Sequence, residues 1–220
     1  MTIDKSMIAS IASAQSATSK KAAFGHVLDL IENTDDTASG ETVRALAALY
    51  RYFLPAVPAK PKTASDWTLK AIAGPKESRH YLQYQFSRGG LLMCCDGHRL
   101  HVAPSDRAPG YYDKAGTPQT VDAPYPDIEP HLKPKPGVQA VNIELKNKSV
   151  LVNGDTMHTT PTKRDPNAVC YLILGHYYNA RYLLDALAMG EPGRATLSPT
   201  DGLLIDFDSG NRAMIMPVNG

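Results

Sequence analysis

Two cysteines and two histidines lie within one short run of the chain, and these side chains can bind zinc or supply a nucleophile and its base. Cys94 and Cys95 are adjacent, and His98 and His101 follow them. Zinc sites commonly use a Cys-x-x-Cys spacing, which this run lacks, and Cys170 lies far away in the sequence. Alternation along a strand also turns adjacent cysteines to opposite faces. We therefore expect buried free cysteines and no metal or cofactor.

A nucleophilic cysteine paired with a histidine needs a third group that orients the histidine, and none is evident. The glycines of Ser87–Gly90 indicate a hairpin turn rather than a phosphate-binding loop, and the acidic residues show no metal-ligand spacing. We expect a protein that is not an enzyme. A small enzyme that uses the cysteine–histidine run is the least favoured alternative.

The same run predicts a β-hairpin. Apolar residues 91–95 on one side and the apolar Leu100 and Val102 on the other flank Asp96-Gly97, the pair that best tolerates the positive φ angles of a tight two-residue turn. The turn should display His98 and Arg99 at the start of the second strand.

Composition narrows the class of protein. A chain of 220 residues with 43% hydrophobic residues can build a substantial core. The formal net charge is +1, so a nucleic-acid binder would need its basic groups concentrated on one face. The first residues lack the apolar core of a signal peptide, and no apolar run approaches the roughly 20 residues of a membrane span. We expect a soluble, cytoplasmic protein.

The elements around the hairpin divide the chain into two regions. Residues 1–60 carry apolar side chains at helical spacing over Phe24–Ile31 and Val43–Leu54, which predicts an N-terminal helical region without a catalytic pattern. The prolines of Pro55–Lys62 favour an extended linker. Residues 61–220 form the predicted α+β domain.

Two units make up this domain, over residues 66–135 and 136–220. In the first unit, Ser65 can cap a short helix over Asp66–Ala73. Apolar and polar residues then alternate over residues 82–86, as on a half-buried strand that leads into the hairpin.

The second unit has the most regular pattern, after a stretch over residues 103–136 whose prolines, glycines and charges predict mostly loop. Asn153-Gly154 predicts a hairpin turn, and Asn179 is a plausible cap for a helix with an apolar face over residues 180–187, ended by Gly190. Strands are predicted at Val141–Leu145, Ser149–Val152, Val169–Leu174, Arg194–Ser198, Leu203–Phe207 and Arg212–Val218. A strand, a helix and three antiparallel strands form a βαβββ unit, and two such units give an α+β architecture with helices on one face of antiparallel sheets.

Five segments of the chain share their order with signatures of one protein family. They are Arg79–Leu82, Cys95–Leu100, Tyr125–Ile128, Tyr178–Leu187 and Met214–Val218. They resemble Arg-Tyr-Tyr-Leu, Thr-Asp-Gly-His-Arg-Leu, Phe-Pro-Asp-Tyr, Phe-Asn-x-x-Tyr-Leu-Leu-Asp-x-Leu and Val-Val-Met-Pro-Met-Arg-Leu of the bacterial DNA polymerase III beta sliding clamp family. The resemblance implies a DNA clamp-like fold built from βαβββ units.

The resemblance covers residues 66–218 and departs from the family pattern in three places, one of which is the closing Val218-Asn219-Gly220 in place of Met-Arg-Leu. The stretch between Leu100 and Tyr125 is too short for the second half of a middle domain, and residues 1–60 have no counterpart. The chain therefore resembles a contracted clamp, of the kind that a phage encodes.

In the clamp family, the matched segments form a hydrophobic groove that captures short linear motifs. Carried onto this sequence, the peptide-binding groove consists of Leu82, Gly97, His98, Arg99, Leu100, Met214, Met216 and Pro217. Alternation puts Met214 and Met216 on one face, and methionine suits a surface that accepts several apolar side chains. The alternative is that the methionines and leucines are core residues and that His98 and Arg99 form a solvated turn.

For DNA, the family uses its inward-facing helices and a loop that carries two aromatic residues. The corresponding DNA-binding residues are Lys70, Arg79, His80, Tyr81 and Arg181. Contacts that permit sliding must be independent of sequence and directed to phosphates. The alternative for Arg181 is a surface ion pair with Asp185, one helical turn away.

Together these residues predict a DNA sliding clamp-like processivity or tethering factor. Its partners would be a DNA polymerase or another replication protein, bound through a short linear motif, and double-stranded DNA without sequence specificity. The family also implies a homo-oligomer ring. The alternative is a clamp mimic or adaptor that does not encircle DNA and competes for clamp partners.

Overall fold

A computed structural model describes residues 56–157, 159–161 and 169–218 and confirms the predicted α+β fold class. The helices predicted at Phe24–Ile31 and Val43–Leu54 lie outside the described residues. Among the described residues, those within 57–157 and 171–218 belong to one compact unit. Residues 56, 159–161 and 169–170 belong to another.

Helix α1, Ala64–Thr68, begins at a capping box. The Thr63 hydroxyl accepts a hydrogen bond from the Asp66 backbone N–H at 3.0 Å, and the Asp66 carboxylate accepts one from the Thr63 N–H at 3.1 Å. This reciprocal pair makes Thr63 the cap, so the prediction of Ser65 as the cap is wrong. A 3₁₀ turn over Leu69–Ala71 follows.

Helix α2, Ala180–Ala186, is capped by Asn179, as predicted. The Asn179 side chain accepts a hydrogen bond from the Arg181 N–H at 2.9 Å. A 3₁₀ turn over Leu187–Met189 follows, and the chain leaves it through Gly190 with a φ of +76°. Within the described part of the chain, no helix has the length and apolar character that crossing a membrane requires.

Most of the described strands join one large antiparallel sheet. The strands are β1 Gln85–Arg88, β2 Leu91–Cys95, β3 Arg99–Pro104, β4 Gly110–Tyr112, β5 Pro118–Gln119, β6 Val141–Lys146, β7 Ser149–Val152, β8 Asp155–Thr156, β9 Thr159–Pro161, β10 Val169–Ile173, β11 His176–Asn179, β12 Gly193–Leu197, β13 Leu203–Phe207 and β14 Arg212–Ile215. The large sheet has the order β5-β4-β1-β2-β3-β14-β13-β12-β6-β7-β8, and a second sheet has the order β11-β10-β9. Two meanders, β1-β2-β3 and β12-β13-β14, meet where β3 pairs with β14.

Two segments differ from the sequence-based expectation. Leu82 lies in a 3₁₀ helix, His80–Gln83, and its carbonyl oxygen accepts a hydrogen bond from the Ala73 N–H at 3.1 Å. The strand predicted from Leu82 therefore begins only at Gln85. Residues 103–136, expected to be mostly loop, also contribute β4 and β5 to the sheet.

The large sheet is buried on both faces around β3. On one face, Leu100 and Val102 belong to a core cluster with Met93 and Met214. On the other face, the His101 ring stacks on Trp67 of α1, with ring centroids 4.3 Å apart. The Trp67 Nε1–H donates to the Ala186 carbonyl oxygen of α2 at 2.9 Å, so both helices pack together on that side.

Candidate functional site

Strand β14 places the C-terminal methionines beside the β2–β3 turn. Met214 pairs with Leu100 across β14 and β3. The pairing continues past the end of β14, because the Met216 N–H donates to the His98 carbonyl oxygen at 2.8 Å. The prediction that these two segments, distant in sequence, lie side by side is confirmed.

Asp96 organises the β2–β3 turn. Its carboxylate accepts hydrogen bonds from the backbone N–H groups of His98 at 2.9 Å and Arg99 at 3.0 Å, as aspartate often does in turns. Of the Asp96-Gly97 pair, only Gly97 takes a positive φ, +88°. The prediction of a positive φ at Asp96 is wrong. A Cβ on Gly97 would lie 2.5 Å from Arg79 Nη2, so glycine also permits a close approach of this guanidinium group.

Three of the predicted groove residues are buried. Leu82 and Leu100 are 1% exposed and Met214 is 7% exposed. All three belong to the core cluster, together with Tyr125 and Leu132 from the segment that follows β5. We therefore correct the expectation that they form an open wall: they lie in the core, because this face of the sheet is covered.

Four other predicted groove residues reach the surface around the turn. Gly97 and His98 are exposed, and Met216 and Pro217 are half-buried. Tyr182 of α2 joins them, since its ring lies nearly parallel to the His98 ring with centroids 6.4 Å apart. We call these five residues the turn–tail surface. It combines apolar side chains with the imidazole ring of His98.

An ion cluster centred on Asp185 holds three of the predicted contact residues. Arg99 Nη1 lies 2.7 Å from the Asp185 carboxylate and Arg181 Nε lies 3.3 Å from it. Lys70 Nζ is 3.7 Å from the other carboxylate oxygen. The Asp185 side chain is only 5% exposed, so these contacts compensate a nearly buried charge. The alternative interpretation of Arg181, as a partner of Asp185 in the same helix, is confirmed.

Arg99 is also held by groups outside this ion cluster. Its Nε donates to the Asp96 carboxylate at 3.0 Å, and its guanidinium carbon lies 4.3 Å from the centre of the Tyr182 ring. Its side chain is 11% exposed. Arg99 therefore supports the turn–tail surface from below rather than presenting its charge to a ligand.

Arg79, His80 and Tyr81, the remaining predicted DNA contacts, lie beside the turn. Arg79 donates two hydrogen bonds to the Glu77 carboxylate, from Nε at 2.9 Å and from Nη2 at 3.1 Å. These bonds lower the pKa of the Glu77 carboxyl to about 2. The rings of His80 and Tyr81 meet edge to face, 6.1 Å apart. The structure thus separates these three predicted DNA contacts from the other two, Lys70 and Arg181, which belong to the ion cluster.

The cysteine–histidine run is divided between the two faces of the sheet. Cys94 and His101 pair across β2 and β3, and both are 0% exposed, so neither side chain can meet a substrate. The His101 Nδ1–H donates to the Trp67 carbonyl oxygen at 3.0 Å, and burial lowers the pKa of this ring to about 4. Burial raises the pKa of the Cys94 thiol. Cys95 packs on the opposite face, and within the described ranges no group of three His, Cys, Asp or Glu side chains could hold a metal ion.

Sequence reasoning missed the role of Tyr182 and the contact between Asp185 and Arg99. The i,i+4 spacing predicted only the pair between Asp185 and Arg181. No local pattern connects Asp185 with Arg99, because the packing of α2 on the sheet brings them together. The ring of Tyr182 likewise reaches His98 only in the folded chain.

The chain is similar to solved structures of bacterial sliding clamps. No protein-family model matches it, and no curated protein matches it. The beta sliding clamp of C. crescentus, solved with PEG bound, is 16% identical with a TM-score of 0.47, over 70% of this chain and 63% of that chain. The DNA polymerase III beta chain of Streptococcus pneumoniae TIGR4 is 15% identical with a TM-score of 0.45, over 71% and 62%.

A third such structure is the sliding clamp of Pseudomonas aeruginosa bound to griselimycin. It is 17% identical with a TM-score of 0.43, over 77% of this chain and 69% of that chain. This chain thus matches less than two thirds of the length of the first two clamps. All three structures belong to the family that the sequence motifs resemble.

Proposed function

We propose that the protein is a non-catalytic, clamp-like tethering factor that captures a short linear motif of a DNA polymerase or another replication protein. The observation that carries the proposal is the backbone bond between Met216 and His98. It continues β14 into the turn and leaves half-buried apolar side chains beside an exposed histidine. The five motif segments, in the family's order, also support the proposal.

The turn–tail surface has the chemistry that such a peptide needs. Met216 offers a flexible, polarizable contact for apolar side chains. His98 can exchange a hydrogen bond with a peptide backbone. Pro217 has no N–H group, so the tail does not present a continuous strand edge. The buried Leu100 gives this surface a packed base.

Calorimetric titration of the full chain tests the proposal, with a clamp-binding motif peptide of a bacterial DNA polymerase III as the probe. We expect binding by the natural chain. The substitution Met216→Asp should weaken it at least about tenfold, or about 1.4 kcal/mol, because a carboxylate would replace an apolar contact.

Met157→Asp is the matched control. Met157 is also half-buried but follows β8, at the far end of the large sheet, so this variant should bind the peptide normally. Absence of binding by the natural chain, or equal affinities of the Met216→Asp variant and the natural chain, would refute the proposal.

Sequence-independent contact with double-stranded DNA is the second part of the proposal. Arg79 and His80 are exposed beside the turn, whereas Lys70 and Arg181 share the Asp185 carboxylate. Cations already paired in this way give weak phosphate contacts, and weak contacts are compatible with sliding. A ring of several copies would retain the protein on nicked circular DNA and release it when the circle is cut.

A clamp mimic or adaptor is the second candidate. The observation that favours it is that Asp185 and Asp96 neutralise the charges of Lys70, Arg99 and Arg181. This pairing reduces the positive charge available for DNA. Sedimentation of the full chain separates the two candidates. A monomer that binds the motif peptide and is not retained on circular DNA would be an adaptor.

A further inference from the structure

Helices α1 and α2 lie on the same side of the large sheet but bury different kinds of side chain. Helix α2 buries Leu183 and Leu184, and the 3₁₀ turn that follows it buries Leu187. Within residues 64–71, all of which the structure describes, Trp67 is the one large apolar side chain that is buried. Trp67 therefore supplies most of the apolar contact that holds α1 in place.

The sheet surface under α1 is polar. Gln85 of β1 is 0% exposed, and its Nε2 donates to Thr68 Oγ1 at 2.8 Å and to the Ser65 carbonyl oxygen at 3.0 Å. Arg107 Nη1 donates to Gln85 Oε1 at 3.0 Å. The Cys94 thiol of β2 is within hydrogen-bond reach of the Thr68 side chain. Water would replace these hydrogen bonds if α1 moved away, so each of them contributes only modestly to the docked state.

His101 adds a cost to the docked state. Its ring is stacked on Trp67, and its Nδ1 is paired with the Trp67 carbonyl oxygen. Its Nε2 is buried and has no hydrogen-bond partner among the described residues. A buried nitrogen without a partner is unfavourable, and water would reach it once α1 moved away.

Two further contacts tie the α1 segment to α2. The Trp67 Nε1–H donates to the Ala186 carbonyl oxygen at 2.9 Å, and Lys70 Nζ lies 3.7 Å from the Asp185 carboxylate. The Lys70 side chain is 21% exposed, so solvent partly screens this ion pair. Arg99 Nη1 lies closer to the same carboxylate, at 2.7 Å. The loss of Lys70 therefore does not leave Asp185 unpaired.

The start of α1 lies on the surface. Thr63 and Asp66, which form its capping box, are both exposed. A helix of five residues is too short to persist without tertiary contacts. Undocking and unwinding of α1 are therefore one event, and a substitution in the capping box can favour it without altering the core.

We infer that α1 and its 3₁₀ turn form a latch that opens while the large sheet and α2 remain folded. Opening separates Lys70 from Asp185 and exposes the sheet surface beneath, including Cys94, which is 0% exposed in the closed state. The latch thereby controls whether Lys70, a predicted DNA contact, is paired or free. This inference does not rest on the proposed function, because it concerns only the docking of α1.

Thiol labelling of the full chain under native conditions tests the latch, because a maleimide reaches Cys94 only after α1 opens. The chain carries Cys95→Ser, since a serine oxygen can still accept the Gly97 N–H that Cys95 Sγ accepts at 3.2 Å. Peptide mass mapping separates the label on Cys94 from any label on Cys170. When the latch closes faster than the maleimide reacts, the labelling rate measures the open fraction.

We expect Cys94 to react at least about tenfold faster than global unfolding allows, as calculated from the free energy of unfolding. The labelling rate should rise only weakly with urea concentration, because a local opening exposes little surface.

Two cap variants distinguish the latch from unfolding of the whole chain. Thr63→Ala removes an acceptor of the α1 capping box and should raise the Cys94 labelling rate about fivefold, the usual effect of losing an N-cap. Asn179→Ala removes the cap of α2 by the same chemistry and is the matched control. It should leave the rate unchanged, because α2 stays folded when α1 opens.

Labelling at the rate of global unfolding would overturn the latch. Equal acceleration by Thr63→Ala and Asn179→Ala would do the same, since Cys94 would then be reached only through unfolding of the whole chain.

Hydrogen exchange of the natural chain gives a second measurement that needs no substitution. The Trp67 backbone N–H, which donates to the Thr63 carbonyl oxygen at 3.1 Å, should be protected at least about tenfold less than the Leu184 amide of α2. Equal protection of the two amides would also overturn the inference.

Discussion

Gly97 shows how much of the turn–tail surface depends on single residues. Its φ is +88°, and an added Cβ would lie 2.5 Å from Arg79 Nη2. We expect Gly97→Ala to lower the free energy of unfolding by about 1–3 kcal/mol. The substitution imposes backbone strain and pushes Arg79 away from its hydrogen bonds with Glu77. Urea denaturation measures the loss.

Gly89→Ala is the control for this prediction. Gly89 has a φ of +61°, and among the described residues no atom lies within 4 Å of a Cβ built there. It should therefore show the cost of the backbone conformation alone. Equal losses in the two variants would mean that the contact between Gly97 and Arg79 has no energetic consequence.

His101 should make the folded protein less stable in acid. Burial lowers the pKa of its ring to about 4, whereas an unfolded histidine has a pKa of about 6.5. Below the higher value the unfolded chain binds a proton that the folded chain excludes. The free energy of unfolding should therefore fall as the pH decreases from about 6.5 to about 4, by up to about 1.4 kcal/mol per pH unit. Urea denaturation across this pH range measures the slope.

His101→Gln is the control, because it retains a polar side chain but cannot titrate. The hydrogen-bonded carboxyls of Glu77, Asp113 and Asp201 have lowered pKa values, so they titrate in more acidic solution than His101. The slope between about pH 6.5 and pH 4 should therefore be smaller in the variant. A variant with the slope of the natural chain would contradict the assignment to His101.

At the scale of elements, α2 depends on its cap. The Asn179 side chain accepts hydrogen bonds from the N–H groups of Arg181 at 2.9 Å and Tyr182 at 3.4 Å. We expect Asn179→Ala to lower the free energy of unfolding by about 1 kcal/mol, and Asn179→Asp to restore most of it, because aspartate caps equally well. Circular dichroism during urea titration measures both. A larger loss for the Asp variant would argue against a capping role.

Elements with a strong local pattern were predictable from the sequence. Strand β13 has the predicted bounds, since its apolar run is closed by turn residues on both sides. Asn153 and Gly154 take φ values of +52° and +92°, as expected for an Asn-Gly hairpin turn. The cap of α2 followed from the same kind of local chemistry.

Properties that depend on the whole fold were not predictable. Alternation correctly put Met214 on the face of the sheet that carries the core cluster, but it cannot show that this face is itself covered. The predicted cap of α1 was Ser65, whereas the reciprocal bonds between Thr63 and Asp66 make Thr63 the cap. Three of eight predicted groove residues were misplaced in this way, because burial arises from packing between distant segments.

For the molecule as a whole, Asp185 bears on the proposed contact with DNA, because its carboxylate pairs with Lys70 and Arg181. Replacing it with Asn should remove the paired carboxylate from Lys70 and Arg181, whereas Arg99 keeps its contact with Asp96. We expect Asp185→Asn to bind double-stranded DNA more tightly. Each added phosphate contact should steepen the salt dependence of the binding constant by a slope of about 0.9. Titration at several salt concentrations measures this slope.

Asp206→Asn is the matched control for this experiment. It changes the net charge equally and removes the partner of Arg212 at 2.6 Å, but it lies on β13 and not on a helix. Its effect on DNA binding should be smaller. If the two variants gain affinity equally, net charge alone explains the change and the ion cluster centred on Asp185 has no special role.

The packing of Trp67 gives the protein an intrinsic optical reporter. Trp67 is the only tryptophan of the chain, and it is fully buried. Its indole stacks on His101 of β3 and donates a hydrogen bond to the Ala186 carbonyl oxygen of α2, so its emission spectrum is sensitive to the packing of α1 on β3 and α2. Fluorescence of the unlabelled protein can therefore show whether a partner or a change of pH loosens that junction.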